Sequence, residues 1–216
     1  FEPQQDIRVI VFRGAEKVFC AGRDLREMQQ QQHGGDRPTV DVVALFHQIE
    51  ASRHPTIAMV QGDALAGGCE LAMHCDMRVA AEGVRFGMPL ARLGLVVPFL
   101  LTNKLVEVIG PAWTRQFLLT AQPIEARQAY AIGMVQQVVA AAELEQATYT
   151  LARSIAGNAP LALQGIKACI TRTLAGHEQL AHGDLDAMVE RTRLTDDARE
   201  GVRAWLEKRP PQFRGQ

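Results

Sequence analysis

The sequence predicts one α/β domain in which much of the strand pairing is parallel. Apolar runs rich in β-branched residues lie at residues 7–12, 55–61 and 77–81, and each has the composition of a buried strand. Segments with helical apolar spacing separate these runs, and strands that alternate with helices are typical of parallel sheets. A chain of 216 residues is also long enough to fill one core.

By these criteria the first part of the chain contains a strand, a loop and a helix. The strand at residues 7–12 ends at the turn residues Arg13 and Gly14. Residues 28–38 contain a glutamine run and a glycine pair, so we expect a polar, mobile loop there. A helix is predicted over residues 40–52, because apolar residues recur at helical spacing.

The strand at residues 55–61 leads into a glycine-rich turn, after which a helix is expected to begin at residues 70–74. The strand at residues 77–81 and a shorter one at residues 84–87 follow. From about Pro98 onwards the pattern is mostly helical, interrupted by one short strand at residues 134–139. The helices predicted there span residues 112–119, 124–132, 142–155, 160–174, 178–193 and 196–208.

Composition argues against several kinds of partner. The chain has 23 basic and 24 acidic residues, so its charge gives no reason to expect binding to nucleic acid or to an anionic membrane. No apolar run reaches the roughly 18 residues that cross a bilayer. The four cysteines lack the spacing of a metal site or of a disulfide framework. We therefore expect reduced thiols, no bound metal and a cytoplasmic location.

Two glycine-containing turns follow the first two predicted strands and carry the main functional signal. Residues 19–25 read FCAGRDL, and residues 62–72 read GDALAGGCELA. Small residues at the end of a strand let a ligand approach the backbone closely. If the amides of Ala21 and Gly67 converge on one carbonyl oxygen, they form an oxyanion hole, in which each donor contributes about 2.7–4 kcal/mol to the rate.

Glu70 lies one helical turn after Gly67, on the same face of the predicted helix. A carboxylate in that position can act as a general base beside the oxyanion site. The alternative is that both turns are ordinary connections and that Glu70 is a solvated acid in the first turn of a helix. The spacing of the residues leaves both interpretations open.

Through these turns and further segments, the chain resembles the enoyl-CoA hydratase/isomerase (crotonase) superfamily. The resemblance rests on FCAGRDL at residues 19–25, QGDALAGGCELAMHCDMRVA at residues 61–80 and FGMPLARLGL at residues 86–95. It continues through LTAQPIEARQA at residues 119–129 and TDDAREGVRAWLEKRPPQF at residues 195–213. The match covers essentially the whole chain.

The resemblance implies a crotonase-like fold, in which ββα units form a spiral core and a helical C-terminal region mediates trimerisation. We expect the core over residues 1–135 and the helical region over residues 136–216. The resemblance also implies a homotrimer or a dimer of trimers, and by comparison with the family we expect the N-terminal strand-and-helix unit to be missing from this sequence. The implied substrate is an acyl-CoA thioester, and coenzyme A enters as part of that substrate rather than as a separate cofactor.

The resemblance also assigns residues to the site. The amides of Ala21 and Gly67 would hold the thioester oxygen, and Glu70 matches the family's first catalytic glutamate. The segment from Ala21 through Gly22 and Arg23 to Asp24 matches the lining of the CoA site. For Asp24 a helix-capping role is the competing interpretation. Lys208 and Trp205 lie where the family's last helix reaches the CoA adenine, although a plain amphipathic helix would explain them equally well.

Leu90 departs from the family pattern. It lies where hydratases carry their second catalytic glutamate, and leucine transfers no proton. The glycine-rich stretch that commonly follows is replaced by apolar residues 96–101, so a more apolar acyl pocket is expected. Arg92, close to this position, is a further candidate for contact with substrate.

Three mechanisms are open at this point. Glu70 alone could handle both proton transfers of a hydration, a dehydration or a double-bond shift. Another group could replace the missing acid, the candidates being Arg92, His47, Asp24 and the loop at residues 28–38. Or the site could serve decarboxylation, thioester hydrolysis or acyl-CoA binding without catalysis. We take hydration of an enoyl-CoA as the leading hypothesis, with isomerase, decarboxylase, hydrolase and an inactive homologue as alternatives.

Overall fold

A computed structural model describes residues 7–32, 41–174, 176 and 181–215. Within these residues the chain is a mixture of short strands and longer helices. In chain order the elements are β1 (Ile10–Arg13), α1 (Leu25–Gln32), α2 (Val42–Glu50), β2 (Thr56–Val60), β3 (Ala64–Leu65), α3 (Gly67–Met73), β4 (Met77–Ala81), β5 (Arg85–Gly87), α4 (Phe99–Thr120), β6 (Ile124–Glu125), α5 (Ala126–Ala131), β7 (Gln137–Val139), α6 (Leu144–Ala156), α7 (Pro160–Leu174), α8 (Gly183–Arg193) and α9 (Asp196–Leu206).

The larger sheet has the order β1-β2-β4-β7, and every neighbouring pair in it is parallel. All five residues of β2 are buried, and α6 packs against both β2 and β4. A strand that is covered on both faces is mostly apolar, which explains the apolar residues of β2 and β4. The two polar residues in these strands, Thr56 and Arg78, are buried and hydrogen-bonded. The α/β class and the parallel pairing predicted from the sequence are therefore confirmed.

The smaller sheet has the order β3-β5-β6. Its central strand, β5, pairs with β3 in parallel and with β6 in antiparallel orientation. Its strands are only two or three residues long. They matter because β3 runs directly into α3 and so sets where that helix begins. β3 was not predicted from the sequence, because two residues are too few to show the alternating apolar pattern of a strand.

The segment at residues 28–38 corrects one prediction. It was expected to be a loop, but α1 extends over Leu25–Gln32. Leucine, methionine and glutamine all favour helix, and Asp24 Oδ1 accepts the Arg26 N–H at 2.8 Å, which caps the start of the helix. The remainder of the expected loop, residues 33–38, lies outside the described residues.

Two helix predictions also need correction. The helix expected over residues 124–132 starts only at Ala126, because residues 124–125 pair with β5 as β6. The helix expected over residues 112–119 is the second half of α4, which begins at Phe99. Gly110, with φ of 70°, breaks α4 directly before Pro111.

Two 3₁₀ turns complete the described fold, at Pro89–Leu93 and at Ala141–Glu143. The first packs against α9, which also contacts α1. The last helix therefore folds back onto the segment that follows the first glycine turn. Among the described residues, no helix is both long enough and apolar enough to cross a bilayer.

Candidate active site

The two glycine turns singled out from the sequence lie against each other. Cys20 forms an isolated parallel bridge with Ala64. The Leu65 N–H donates to the Cys20 carbonyl oxygen at 2.9 Å, and the Cys20 N–H donates to the Asp63 carbonyl oxygen at 3.4 Å. The segment from Cys20 onwards therefore runs alongside β3. Ala21 comes directly after Cys20, and Gly67 follows the last residue of β3, Leu65, by two positions.

Contact between the two turns is so close that it requires glycine. A Cβ on Gly22 would lie 2.9 Å from the Gly67 nitrogen, and Gly22 also has a φ of 83°, where glycine is favoured. A Cβ on Gly68 would lie 1.9 Å from the Cys20 carbonyl oxygen. Any side chain at these positions would push the two turns apart.

Ala66 holds the start of α3 in an unusual conformation. Its φ is 49° and its ψ is −121°, which a residue with a Cβ rarely adopts and which costs of order 1–3 kcal/mol. The Ala66 N–H donates to the Gly87 carbonyl oxygen at 2.8 Å, and this bond ties the strained residue to the end of β5. The conformation of Ala66 fixes the peptide plane that carries the Gly67 N–H.

Both candidate oxyanion donors are available for a ligand. Across residues 7–32, 41–174, 176 and 181–215, no hydrogen bond uses the N–H of Ala21 or of Gly67. Ala21 is exposed and Gly67 is half-buried, so a ligand can approach from the Ala21 side. Backbone N–H groups are strong donors, and leaving two of them unused beside each other is uncommon unless a ligand accepts from them.

Glu70 is buried one turn into α3. Its residue is 1% exposed, and within the described part of the chain neither carboxyl oxygen has a hydrogen-bond partner. Burial raises the pKa of Glu70 well above its ordinary value; Lys104 lowers it in part and Glu50 adds to the rise. A raised pKa keeps a carboxyl group protonated, and so able to donate a proton, up to a higher pH, which suits a general acid–base. The alternative interpretation of Glu70 as a solvated acid is therefore wrong.

His74 follows Glu70 by one turn, is 3% exposed and lies on the side of α3 that faces α2 and α4. Its ring stacks on Phe46 with 4.8 Å between ring centres, and its Nδ1 lies 2.7 Å from the Glu70 carbonyl oxygen. Burial lowers the pKa of His74 to about 4, so the ring is neutral at pH 7. The contact of 3.8 Å between Nδ1 and Glu70 Oε2 is accordingly not a salt bridge at that pH.

A charged cluster lies behind His74. Lys104 Nζ is 2.5 Å from Glu50 Oε1 and 2.7 Å from Glu107 Oε1. Burial lowers the pKa of Lys104, but the two carboxylates outweigh that effect and raise it overall. Together with His74 and Arg78, these groups line a cavity of about 140 Å³ that also reaches α7.

Leu90 lies in the first 3₁₀ turn, half-buried against the core. The turn begins just after Gly87, whose carbonyl oxygen accepts the Ala66 N–H, so it lies next to the start of α3. Arg92, on the same turn, is exposed, and no carboxylate of the described residues pairs with it. The structure thus places an apolar side chain where the family resemblance implied an acid.

The candidates for a replacement acid are not gathered at one point. His47 lies on α2, close enough to His74 to lower its pKa, and so belongs to the Lys104 side of α3. Asp24 is exposed and caps α1, which supports the structural interpretation of that residue. Residues 33–38 of the expected loop lie outside the described residues.

The basic residues assigned to CoA binding lie around α1, α8 and α9. Arg23 is exposed, and burial followed by the charge of Arg193 lowers its pKa. Lys208 lies just beyond the end of α9 with φ of 55°, is exposed, and pairs with no carboxylate in the part of the chain that the structure describes. Since α9 packs on α1, the helix that precedes Lys208 lies against the helix that follows Arg23.

Sequence reasoning missed two residues of this site. Nothing in the sequence marked Ala66, because alanine gives no signal for a positive φ. His74 was not singled out from the sequence either. The signal that could have found its role was its spacing: it lies four residues after Glu70, on the same helical face.

A sequence model of the family described as Enoyl-CoA hydratase/isomerase matches residues 1–216. The short-chain-enoyl-CoA hydratase of Clostridium acetobutylicum is 34% identical over 217 residues, which covers 96% of this chain and 80% of that protein. The 2,3-dehydroadipyl-CoA hydratase of Escherichia coli is 33% identical over 213 residues, covering 97% of this chain and 82% of that protein.

The fold is similar to solved structures of acyl-CoA enzymes. A methylmalonyl-CoA decarboxylase, solved in complex with 2-nitronate-propionyl-CoA, superimposes with a TM-score of 0.87 at 31% identity. The superposition covers 97% of this chain and 82% of that one.

Proposed function

Because this chain belongs to the enoyl-CoA hydratase/isomerase family, we propose that it hydrates an enoyl-CoA thioester, with Glu70 as its acid–base. The observation that carries the proposal is Glu70 itself, a buried carboxyl without a hydrogen-bond partner among the described residues, one turn after the unused Gly67 amide. The N–H groups of Ala21 and Gly67 hold the thioester oxygen, where negative charge develops as the enolate forms.

Glu70 performs both proton transfers in this proposal, because Leu90 supplies none. Ionised Glu70 takes a proton from water as the water oxygen bonds to the β-carbon, and the electron pair of the double bond moves onto the thioester oxygen. Glu70 then returns that proton to the α-carbon, and the enolate collapses to the hydroxyacyl thioester. Water and enoyl-CoA are consumed in equal amounts, so no further proton source is needed.

The CoA portion of the substrate lies along the first turn and α1. Gly22 lets the chain approach the α3 turn closely, Arg23 and Lys208 supply positive charge for the phosphates, and Leu90 and Arg92 border the acyl group. Asp24 acts mainly through the α1 cap that fixes this segment. No cofactor beyond the CoA of the substrate is required.

Decarboxylation of a carboxyacyl-CoA is the second candidate. Two observations favour it: Leu90 in place of an acid, and the similarity to a structure of methylmalonyl-CoA decarboxylase. The same two amides would stabilise the enolate left after loss of CO₂. In this case a proton from solvent must reach the α-carbon, and Glu70 would donate it. Isomerisation, thioester hydrolysis and binding without catalysis remain the further alternatives.

Turnover of a small panel tests the proposal. The purified protein is assayed with a 2-enoyl-CoA, a 3-enoyl-CoA, a methylmalonyl-type CoA and a saturated acyl-CoA. We expect the highest kcat/KM for hydration of the 2-enoyl-CoA, and at least a roughly 100-fold loss of kcat in Glu70→Gln, the lower range for general acid–base catalysis.

The matched control is Glu82→Gln, which changes an exposed carboxylate paired with Arg127 and should leave kcat unchanged. Binding of a saturated acyl-CoA by calorimetry should survive in Glu70→Gln. Unchanged turnover in that variant would remove Glu70 from the mechanism. Turnover of the methylmalonyl-type CoA alone would replace hydration by decarboxylation, and no turnover with intact binding would indicate an inactive homologue.

We also propose a homotrimer or a dimer of trimers in the cytoplasm. Leu161, Ile166 and Ile170 on α7 are 79%, 58% and 56% exposed, more apolar surface than one helix of a monomer usually presents to water. The four unpaired cysteines suit a reducing compartment. Sedimentation equilibrium should give a mass of three or six chains, and a monomer at micromolar concentration would contradict this.

A further inference from the structure

We propose that His74 is a positioning residue for Glu70, and that its Nδ1–H is the hydrogen-bond donor that the Glu70 carboxylate takes up when it ionises during turnover. This inference rests on the proposed function, since it concerns the same acid. It assigns a role to a residue beyond the two amides and Glu70 itself.

The geometry of the pair carries the proposal. His74 Nδ1 lies 2.7 Å from the Glu70 carbonyl oxygen and 3.8 Å from Glu70 Oε2. A carbonyl oxygen only accepts, so in the neutral ring Nδ1 carries the proton. A movement of roughly 1 Å brings Oε2 within hydrogen-bond distance of the same N–H. The donor is then shared between the carbonyl oxygen and the carboxylate, or passes to the carboxylate.

Glu70 needs such a donor. Both of its carboxyl oxygens are buried without a partner among the described residues, which a neutral carboxyl tolerates better than a carboxylate does. The nearby ammonium group of Lys104 is already engaged, at 2.5 Å from Glu50 and 2.7 Å from Glu107. His74 is therefore the neighbour whose N–H can turn to Glu70.

The surroundings of His74 keep its ring neutral and leave it room to move. His47 and Phe46 face it from α2, while Lys104 and Glu107 face it from α4. Burial is the main cause of the lowered pKa of His74, so the ring acts through the Nδ1–H dipole and not through a charge. One side of the ring borders the cavity of about 140 Å³, into which it can shift.

The pH dependence of turnover in two His74 variants tests the proposal. His74→Leu keeps an apolar volume without a donor, whereas His74→Asn keeps an N–H near the position of Nδ1. We expect the acidic limb of kcat/KM, measured on the best substrate of the panel, to move up by about one to two pH units in His74→Leu, as a hydrogen bond to a carboxylate is lost. In His74→Leu we expect kcat at pH 7 to fall and KM to change little. His74→Asn should restore most of the kcat and most of the wild-type position of the acidic limb.

Three other outcomes would contradict the proposed role of His74. Equal impairment of both variants with no shift of the acidic limb would show a purely structural role for His74. If His74→Leu does not fold, His74→Phe replaces it, since that side chain keeps the stack on Phe46 and also lacks the donor. An inactive Glu70→Gln together with a wild-type profile in His74→Leu would overturn this inference alone. An active Glu70→Gln would overturn the proposed function as well.

Discussion

Gly22 lies where a side chain would reach the Gly67 amide. A Cβ there would be 2.9 Å from the Gly67 nitrogen, on a backbone with φ of 83°. Gly83 has almost the same φ, 79°, but a Cβ on it meets nothing within 4 Å. The two glycines therefore differ in contact and not in backbone conformation, which makes them a matched pair.

We predict that Gly83→Ala lowers the free energy of unfolding by about 1–2 kcal/mol, the cost of a Cβ in the left-handed region, and that Gly22→Ala lowers it further because its Cβ also meets the Gly67 backbone. Only Gly22→Ala should lower kcat/KM, by about 100-fold, because the methyl group disturbs one oxyanion donor. Urea unfolding and steady-state kinetics on the two variants measure both effects. Full activity in Gly22→Ala would mean that the contact between the turns is not part of the site.

Among single residues, the sequence predicted those that residue type and local order along the chain are enough to single out. Glu70, Ala21, Gly22 and Gly67 could be singled out because glycines after a strand, followed by an acid, are a local pattern. Ala66 could not, because its strained φ depends on the bond between its N–H and the Gly87 carbonyl oxygen. That contact joins β3 to β5, across a separation in sequence that no local pattern records.

The 3₁₀ turn at Pro89–Leu93 and helix α9 are held together through two glycines. A Cβ on Gly94 would lie 2.7 Å from the backbone of Asp197, and a Cβ on Gly201 would lie 2.5 Å from the backbone of Leu93. Because backbone meets backbone here, α9 fixes the position of the turn that carries Leu90. This packing links the last helix to the turn that, in the proposed function, borders the acyl group.

Gly201→Ala should lower the free energy of unfolding by at least about 1 kcal/mol, since overpacking costs about 1–3 kcal/mol and the gain in helix propensity only partly offsets it. Gly165→Ala in α7 is the control, because a Cβ there meets nothing within 4 Å and helix propensity alone should raise stability, by about 1 kcal/mol. Thermal unfolding and acyl-CoA binding of the two variants provide the measurements. Equal stability changes would show that α9 does not press on the turn.

The boundaries of helices and strands could be predicted where the apolar residues follow a single helical or strand spacing. The helix at Pro160–Leu174 and the strand at Met77–Ala81 were placed correctly, because each has an unbroken pattern between turn residues. The helix over Leu25–Gln32 was missed, since its glutamine-rich composition suggested a loop while the Asp24 cap was not given enough weight. Residues 124–125 were assigned to a helix because their pairing with β5 is non-local.

Arg78 ties several parts of the molecule together from a buried position. Its Nε donates to the Met134 carbonyl oxygen at 2.6 Å, and its Nη1 donates to the Cys75 carbonyl oxygen at 2.7 Å. The same nitrogen also lies within 3.4 Å of the Ala72 and Met73 carbonyl oxygens. The side chain thus joins the end of the helix that carries Glu70 to the segment before β7.

Arg78→Ala should lower the free energy of unfolding by about 3 kcal/mol or more, since it leaves several buried carbonyl oxygens without a donor. Arg127→Ala is the control: it removes an exposed arginine paired with Glu82 at 2.7 Å, and a surface pair contributes about 1 kcal/mol or less. Urea denaturation curves of both variants give the comparison. A loss below about 1 kcal/mol in Arg78→Ala would show that water replaces these contacts without cost.

The decisive experiment is a crystal structure of the Glu70→Gln variant with a bound acyl-CoA thioester. We expect the thioester oxygen about 2.7–3.1 Å from both the Ala21 and the Gly67 nitrogens, with the side chain of residue 70 facing the α-carbon. A thioester oxygen that contacts neither amide, or a residue 70 side chain turned away from the acyl group, would contradict it.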